Sequence, residues 1–467
     1  MPDFSVITQS AEVRAVVQEG LLERAFHDSL FPRLMFRGEA TPVAWPTGIG
    51  DSQIFSATGL IPVDAAPLVP GTDPEPATYP TEQWEAQLNQ YAKTIDTHMP
   101  TSIVAIASLF LRNAQQLGLQ AAQTVNRITR NRMYAAALSG ETVTDGIQAA
   151  TVALRVKRLN GLTRARNPAL ANASKVRFDF VSTTNPLSVT IEETGVPTTR
   201  NIIGFTPDAL GDESGPGVLT LDTVVSVIDR DAVRSVDASD LVRVGGGTKI
   251  DDLTPGTDVP TLADVRLAIS QFWQQNVPEH SDGRFHCHLD PISQSLIFSD
   301  PEFNRLLTAL PDYYIYRQFA LGELLNTVFF RNSECPVAET VVGGSTATFD
   351  KRDPFVGELT NNGVAGGPKV HRMLFTAQGG IMEYYSDLEA LITEAGVTGR
   401  VGDPRIVNNG IEIFSERIQL IIRAPLNRLQ DKVATSWKLI ADWPIRTDAA
   451  TGSAARYKRF KVVEHAE

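Results

Sequence analysis

The sequence predicts an α+β chain, and three observations carry that reading. A helix-period stretch runs from Pro100 to Gly140. A strand-rich block follows from Lys175 to Val244. Long alternating segments (Gly410–Leu426, Asp431–Trp443 and Ala455–Ala466) close the chain. With 467 residues, 42% hydrophobic and 21% charged, the composition is that of an ordinary soluble protein, long enough for about two to four domains. A net charge of −12 excludes a generic nucleic-acid binder while leaving room for local basic patches. Two cysteines, Cys287 and Cys335, are too few for a disulfide framework. The opening MPDFSVITQS has no charged segment followed by an apolar one, so no signal peptide is expected. The longest apolar run, Ile103–Leu111, is far short of the ~18 residues of a membrane span.

The elements follow in order. Residues 1–40 hold an amphipathic helix with Ser10 as N-cap and a stripe of Val13, Val16, Val17, Leu21, Leu22, Phe26 and Leu30. It serves either as an arm packed on something else or as a first core helix. Eight prolines from Pro42 to Pro80 exclude a helix for most of the next stretch. Its two ends read as strands, Asp51–Leu60 and Glu82–Thr97. Trp84, Ala86 and Leu88 alternate with polar residues before the phase shifts, which suggests a bulge or bend. Such a long hairpin is only marginally stable alone and is expected to lie on another surface. The Pro100–Gly140 helix would be a rod of roughly 55 Å. It contains no Asp or Glu, and Arg112, Arg127, Arg130 and Arg132 are its only charges. Its buried stripe is Ile103, Ile106, Phe110, Leu117, Ala121, Val125 and Ile128.

A loop and a short helical or irregular segment are expected to about Asn160. The block Lys175–Val244 reads as a compact antiparallel barrel or sandwich that ends in a flexible linker, GGGTKIDDLTPGTDVP. Thr261 then caps a helix, with Asp264 at capping-box spacing and Leu262, Val265, Ile269 and Phe272 as the buried side. Further on, the chain alternates strands (Phe285–Leu289, Asn326–Val337, His371–Tyr385) with helix and loop, an exposed Gly-rich loop at 343–367 and a short helix at 388–395.

Candidate chemistry is thin. His286 and His288 flank Cys287 and would share a strand face with Asp290. A closed metal site takes four ligands and no second cluster stands out, so ordinary strand residues are the preferred reading. Val244–Lys249 lacks the phosphate-loop spacing. Asp229, Asp231, Asp237 and Asp240 read as a solvated face. The basic run Arg456, Lys458, Arg459 and Lys461, interleaved with Tyr457 and Phe460, is either an exposed strand face or a phosphate-backbone contact. No nucleophile, base and orienter assemble, so no enzyme is expected, and no cofactor or metal.

Several segments resemble one family. Leu88–Met99 entering the long helix, Thr261–Pro291, Gly322–Pro336, and Ala424–Lys438 with Pro425, Leu426, Trp437 and Lys438 are similar to the matching segments of the major capsid (coat) proteins of tailed bacteriophages with the Hong Kong 97-type fold. The match spans most of the chain outside about 162–258. Where the family has His-Pro, this chain has Asp290–Pro291, so no role of that His carries over.

The resemblance implies an N-terminal arm (1–40), an E-loop hairpin (41–99), a peripheral domain with the spine helix (100–161), an inserted β-rich domain (162–258), an axial domain (259–410) and C-terminal strands returning to the peripheral and axial domains (411–467). It implies self-assembly into hexamers and pentamers of an icosahedral shell, built in the host bacterial cytoplasm and enclosing double-stranded DNA through non-specific contacts. Portal and scaffolding proteins are implied partners, a decoration protein is an open one, and no membrane is involved. Candidates for the subunit interface or the DNA-facing surface are Arg112, Arg127, Arg130, Arg132, Trp84, Leu88, Phe26, Arg456 and Lys458. The first lysine, Lys93, stands at the hairpin base, so the lysine–asparagine cross-link of some relatives is not expected. The alternative is an encapsulin-like compartment, and behind it a secreted β-rich binding or carbohydrate-active protein.

Overall fold

The computed structural model describes residues 35–46, 50–58, 71, 73, 76, 81–98, 109–166, 178–211, 213, 215–235, 241–303, 305, 322–338, 369–386, 405–407, 410–415, 417–423, 432–446 and 459–467. The N-terminal helix with Phe26, the hairpin tip, the long helix up to residue 108, the 343–367 loop, the 388–395 helix, Asp237, Asp240, Arg456 and Lys458 lie outside these residues. The chain forms two compact units, one from 1–53, 86–130 and 382–444, the other from 54–85, 131–381 and 445–467.

The first unit is a sheet with the long helix on it. Strands β1 (Thr41–Ala44), β19 (Met382–Tyr385), β23 (Lys432–Asp442), β22 (Ile418–Arg423), β21 (Gly410–Ser415) and β20 (Arg405–Val407) follow in that order, and β4 (Asn89–His98) pairs along β23. Residues of β23 are buried in alternation, so Val433, Thr435, Trp437, Leu439 and Ala441 share one face. Helix α1 spans Leu109–Ala137. Ala114, Leu117, Ala121, Ala122 and Val125 are fully buried at helical spacing, while Ile128 is only half-buried. Polar ties fix the helix to the strands: Trp437 Nε1 donates to Gln120 Oε1 at 2.5 Å, and Asn113 Nδ2 donates to Thr97 Oγ1 at 2.6 Å. Arg37 clasps Glu383 through two nitrogens, with both side chains at 6% exposure or less.

The stretch read as one strand from Glu82 to Thr97 is two. Strand β3 (Thr81–Gln87) pairs with β2 (Ser52–Thr58) in a two-stranded ribbon, whereas β4 joins β23. The break falls at Leu88, whose N–H donates to Asp51 O at 2.8 Å.

The second unit contains two sheets with separate apolar cores. One has six antiparallel strands in the order β5 (Glu141–Val143), β12 (Ala232–Ser235), β9 (Leu187–Glu193), β10 (Val196–Pro207), β11 (Gly217–Val227) and β6 (Gln148–Val156). Its edges meet: Thr144 and Val156 form a bridge, and Lys157 N–H donates to Val143 O at 3.0 Å. Leu154, Val156, Val189, Ile191, Ile202 and Leu219 lie in its core, and β7 (Arg164–Arg166) pairs with β8 (Phe178–Phe180) alongside. Residues 141–143 and 148–156 are therefore strands, where the sequence suggested a loop and a short helical or irregular segment. Alanine-rich β6 carries little inside–outside alternation, and five of its nine residues are exposed.

The other sheet has the order β13 (Leu241–Arg243), β24 (Phe460–Ala466), β18 (Val370–Thr376), β14 (Phe285–Leu289), β16 (Thr327–Arg331) and β15 (Glu323–Leu324), with β17 (Val337–Ala338) on β18. Helix α2 (Leu262–Gln274) lays Leu262, Val265, Ala268, Ile269 and Phe272 on it, and α3 (Pro291–Ser299) follows β14. Thr261 begins α2 as expected: its hydroxyl donates to Asp264 Oδ2 at 2.7 Å and its N–H at 2.9 Å.

Three expectations fail here. Every residue of β24 is buried, Lys461 included at 1%, so this part of the basic run is interior, with Lys461 Nζ 5.7 Å from the Phe272 ring. Asp231 is 1% exposed rather than solvated, and one of its oxygens accepts Ile228 N–H at 2.8 Å. The 244–258 segment is no loose linker: it forms two 3-10 turns and seats Ile250 and Leu253 in a small core with Ala338, Val370 and Ala466.

Candidate functional site

The arginines of α1 separate by burial. Arg112 and Arg132 are exposed, Arg127 is half-buried, and Arg130 is 1% exposed. Arg130 is thus a component of the interior. The helix C-terminus is closed by other residues. Arg158 Nη2 donates to Leu138 O at 3.0 Å and to Glu141 O at 2.8 Å, and Asn160 Nδ2 donates to Ala135 O at 2.6 Å. The approach is tight: a Cβ on Gly161 would lie 2.3 Å from Gly140 N, and both glycines have positive φ, 78° and 81°.

On the ribbon, Trp84 is 6% exposed and stacks on Phe55, with centroids 6.1 Å apart. Leu88 is half-buried at the break.

Between the two sheets of the second unit runs a charged seam. Arg243 on β13 bonds Glu141 on β5 and Glu464 on β24, the latter at 3.0 Å, and Arg372 on β18 reaches Glu464 at 2.9 Å. Arg230 pairs with Asp251, and Lys249 with Glu192 at 3.1 Å. Arg158, Arg243 and Arg372 outnumber Glu141 and Glu464, and all five are nearly buried. Burial pushes the Glu464 carboxyl up, but Arg243, Arg372 and Arg158 together hold it below the usual range. Burial likewise opposes the charge of Arg243, and Glu141 and Glu464 more than offset it. A cavity of about 20 Å³, room for one water, lies here among Arg158, Arg243, Glu141, Glu464, Leu138, Val143 and Ile250. The sequence showed these only as isolated charges at positions far apart in the chain.

The FHCH residues go to separate neighbours. His286 stacks on His280 at 3.9 Å and lies 3.1 Å from Asp282 Oδ2. His288 stacks on Phe330 at 5.3 Å. Cys287 is buried among apolar side chains, which raises its thiol pKa, with Cys335 adding to the effect, and neither thiol is in a disulfide. Asp290 turns to α3, where it accepts Ser293 N–H at 3.3 Å as N-cap, and to His371 Nδ1 at 2.8 Å.

No family profile and no curated protein matches the sequence. Among solved structures, the chain is similar to the capsid of Ralstonia phage GP4 (12% identity, 92% of this chain and 87% of that one, TM-score 0.45). It is similar to the cyanophage Pam1 capsid (10% identity, 93% and 92%, TM-score 0.46). A third similar structure is an encapsulin complex from Synechococcus elongatus (11% identity, 93% and 88%, TM-score 0.34). Among the described residues no helix is long and apolar enough to cross a membrane.

Proposed function

We propose that the chain is a major capsid protein that self-assembles into the icosahedral head of a tailed double-stranded DNA bacteriophage. The observation that carries this reading is the connectivity. A ribbon (β2–β3) leads through one sheet strand (β4) into an acid-free helix (α1). A six-stranded sheet is then looped out of the chain before a second sheet, and the chain returns through β19–β23 to the first. In this reading the parts are a hairpin, a spine, an insertion, an axial domain and returning strands, with the insertion drawing on 141–156 as well as on the 162–258 block. In this reading the six-stranded sheet, joined edge to edge at Thr144 and Val156, is a projecting antiparallel barrel. The ribbon is an arm laid on a neighbour, and contacts that repeat head to tail close into hexamers and pentamers. The work is structural rather than enzymatic.

Electron microscopy of the purified protein tests this directly. Closed shells are expected, and a population of monomers alone would overturn it. Nuclease-protected DNA inside particles distinguishes a phage head from a compartment loaded with protein cargo.

A further inference from the structure

Strand β6 ends the six-stranded sheet, with β11 on one side. At its C-terminal end the other edge is occupied: Thr144 bridges Val156, and Asp145 N–H donates to Arg155 O at 3.0 Å. Toward its start, no strand among the described residues pairs with that edge. Residues 149, 150, 152, 153 and 155 are exposed. The segment Thr151–Val156 (TVALRV) has three β-branched residues, one charge and no proline or glycine, the composition of a strand that readily adds to another. An open edge of this kind offers its N–H and C=O groups as a template.

Two side chains of the same strand occupy those groups. Gln148 lies along the edge as a stand-in for a backbone amide: Arg155 N–H donates to its Oε1 at 2.8 Å, and its Nε2 donates to Arg155 O at 2.9 Å. Thr151 serves Ala153 in the same way, its Oγ1 accepting Ala153 N–H at 3.0 Å and donating to Ala153 O at 3.4 Å. Alternate residues of an antiparallel strand bond to opposite sides, so 153 and 155 are the residues whose backbone groups point away from β11. Ala150 adds a bend. Its φ of 49° is left-handed and its N–H donates to Ser226 Oγ at 3.1 Å, beside the register shift against β11.

We propose that Gln148 and Thr151 are gatekeepers that close β6 to strand addition by a second copy of this chain. A second copy is the strand to exclude because the row is self-complementary. Antiparallel pairing centred on Ala153 sets Arg155 of each chain opposite Thr151 of the other, so no like charges meet, and the contact closes as a pair about a two-fold axis. With both side chains in place, an incoming strand must displace four hydrogen bonds before it forms its own. The inference rests on bonding within the six-stranded sheet and stands apart from the shell reading.

Full-length chains carrying Ala153→Cys test this, with disulfide-linked dimer read on a non-reducing denaturing gel after air oxidation and thiol blocking. Cys287 and Cys335 are buried and do not compete. Adding Gln148→Val and Thr151→Val should raise the dimer on the order of tenfold over Ala153→Cys alone, since each freed inter-strand bond is worth a factor of about five. Adding Thr151→Ser instead, which keeps the hydroxyl, should leave the yield unchanged. The two valines combined with Leu210→Cys, a cysteine at an exposed position between β10 and β11, should give no increase over Leu210→Cys alone. An unchanged yield in the double-valine chain, or an equal rise with Thr151→Ser or at Leu210→Cys, would overturn the proposal. Contacts made inside a shell are common to all these chains, so the comparison holds whether or not particles form. If the double-valine chain does not fold, Thr151→Ala alone is read beside Ala153→Cys: a rise of about fivefold supports the gate, and none overturns it.

Discussion

At the scale of single residues, the Asp290 carboxylate accepts from Ile292 N–H, Ser293 and His371. Burial would raise its carboxyl, but the His371 hydrogen bond and charge and the Ser293 hydroxyl hold it at about 2. Its folded value is below the ordinary 3.8 of an aspartate, so its contribution is complete above that pH and is lost as pH falls through 2. Asp290→Asn is expected to cost about 2 kcal/mol at pH 7 and much less at pH 2, measured by urea unfolding at both pH values. Gly161→Ala should cost more than about 2 kcal/mol, since its φ of 78° and the 2.3 Å approach to Gly140 N leave no space for a Cβ. A thermal shift no larger than that of a surface substitution would refute this. What was legible at this scale was local. The Thr261–Asp264 box was readable because both partners sit within one turn. Arg158 and Asn160, which close α1 from 20 or more residues away, left no pattern to read.

At the scale of elements, α1 was legible through its spacing, and its arginines were not, because side-chain burial depends on what packs against each face. Replacing Arg127, Arg130 and Arg132 together would confuse two effects. Arg112→Gln with Arg132→Gln alters exposed positions and should shift stability by less than about 0.5 kcal/mol. In the shell reading it should lower particle yield or DNA content, scored by microscopy and nuclease protection, and normal full heads would remove these two residues from the candidates. Arg130→Gln should destabilise the fold by ~2–4 kcal/mol, since it replaces a buried charge, as urea unfolding of the soluble protein would show. Strands β18 and β24 were found as strands, but their uniform burial was missed. A strand covered on both faces need not alternate, and its few polar residues then belong to internal networks such as those of His371 and His465. The β3–β4 break was visible as a phase shift, while the division of labour between two sheets was not.

At the scale of the whole molecule, the pairing of distant strands was not readable, because nothing local in the sequence records which strands meet. In the shell reading, the covalent state of the particles gives one further check. Lys93, the first lysine of the sequence, is exposed and sits on β4, in register with Trp437. Purified particles should therefore run as a single monomer band on a denaturing gel, and a ladder of multimers would contradict the absence of a lysine–asparagine bond. The pairing pattern also determines the order in which the protein can come into being. The six-stranded sheet draws only on residues 141–235, so its loops close cheaply. The first sheet must bring His98 to Lys432 and Thr41 to Met382, and the other must bring Leu241 to Val462. Loop-closure entropy and high contact order make those steps slow. Pulse-labelled amides in 187–227 should therefore gain protection before those in 432–442. During that interval the apolar strands of both other sheets stand open, so the nascent protein depends on dilution or on chaperones until its ends have met.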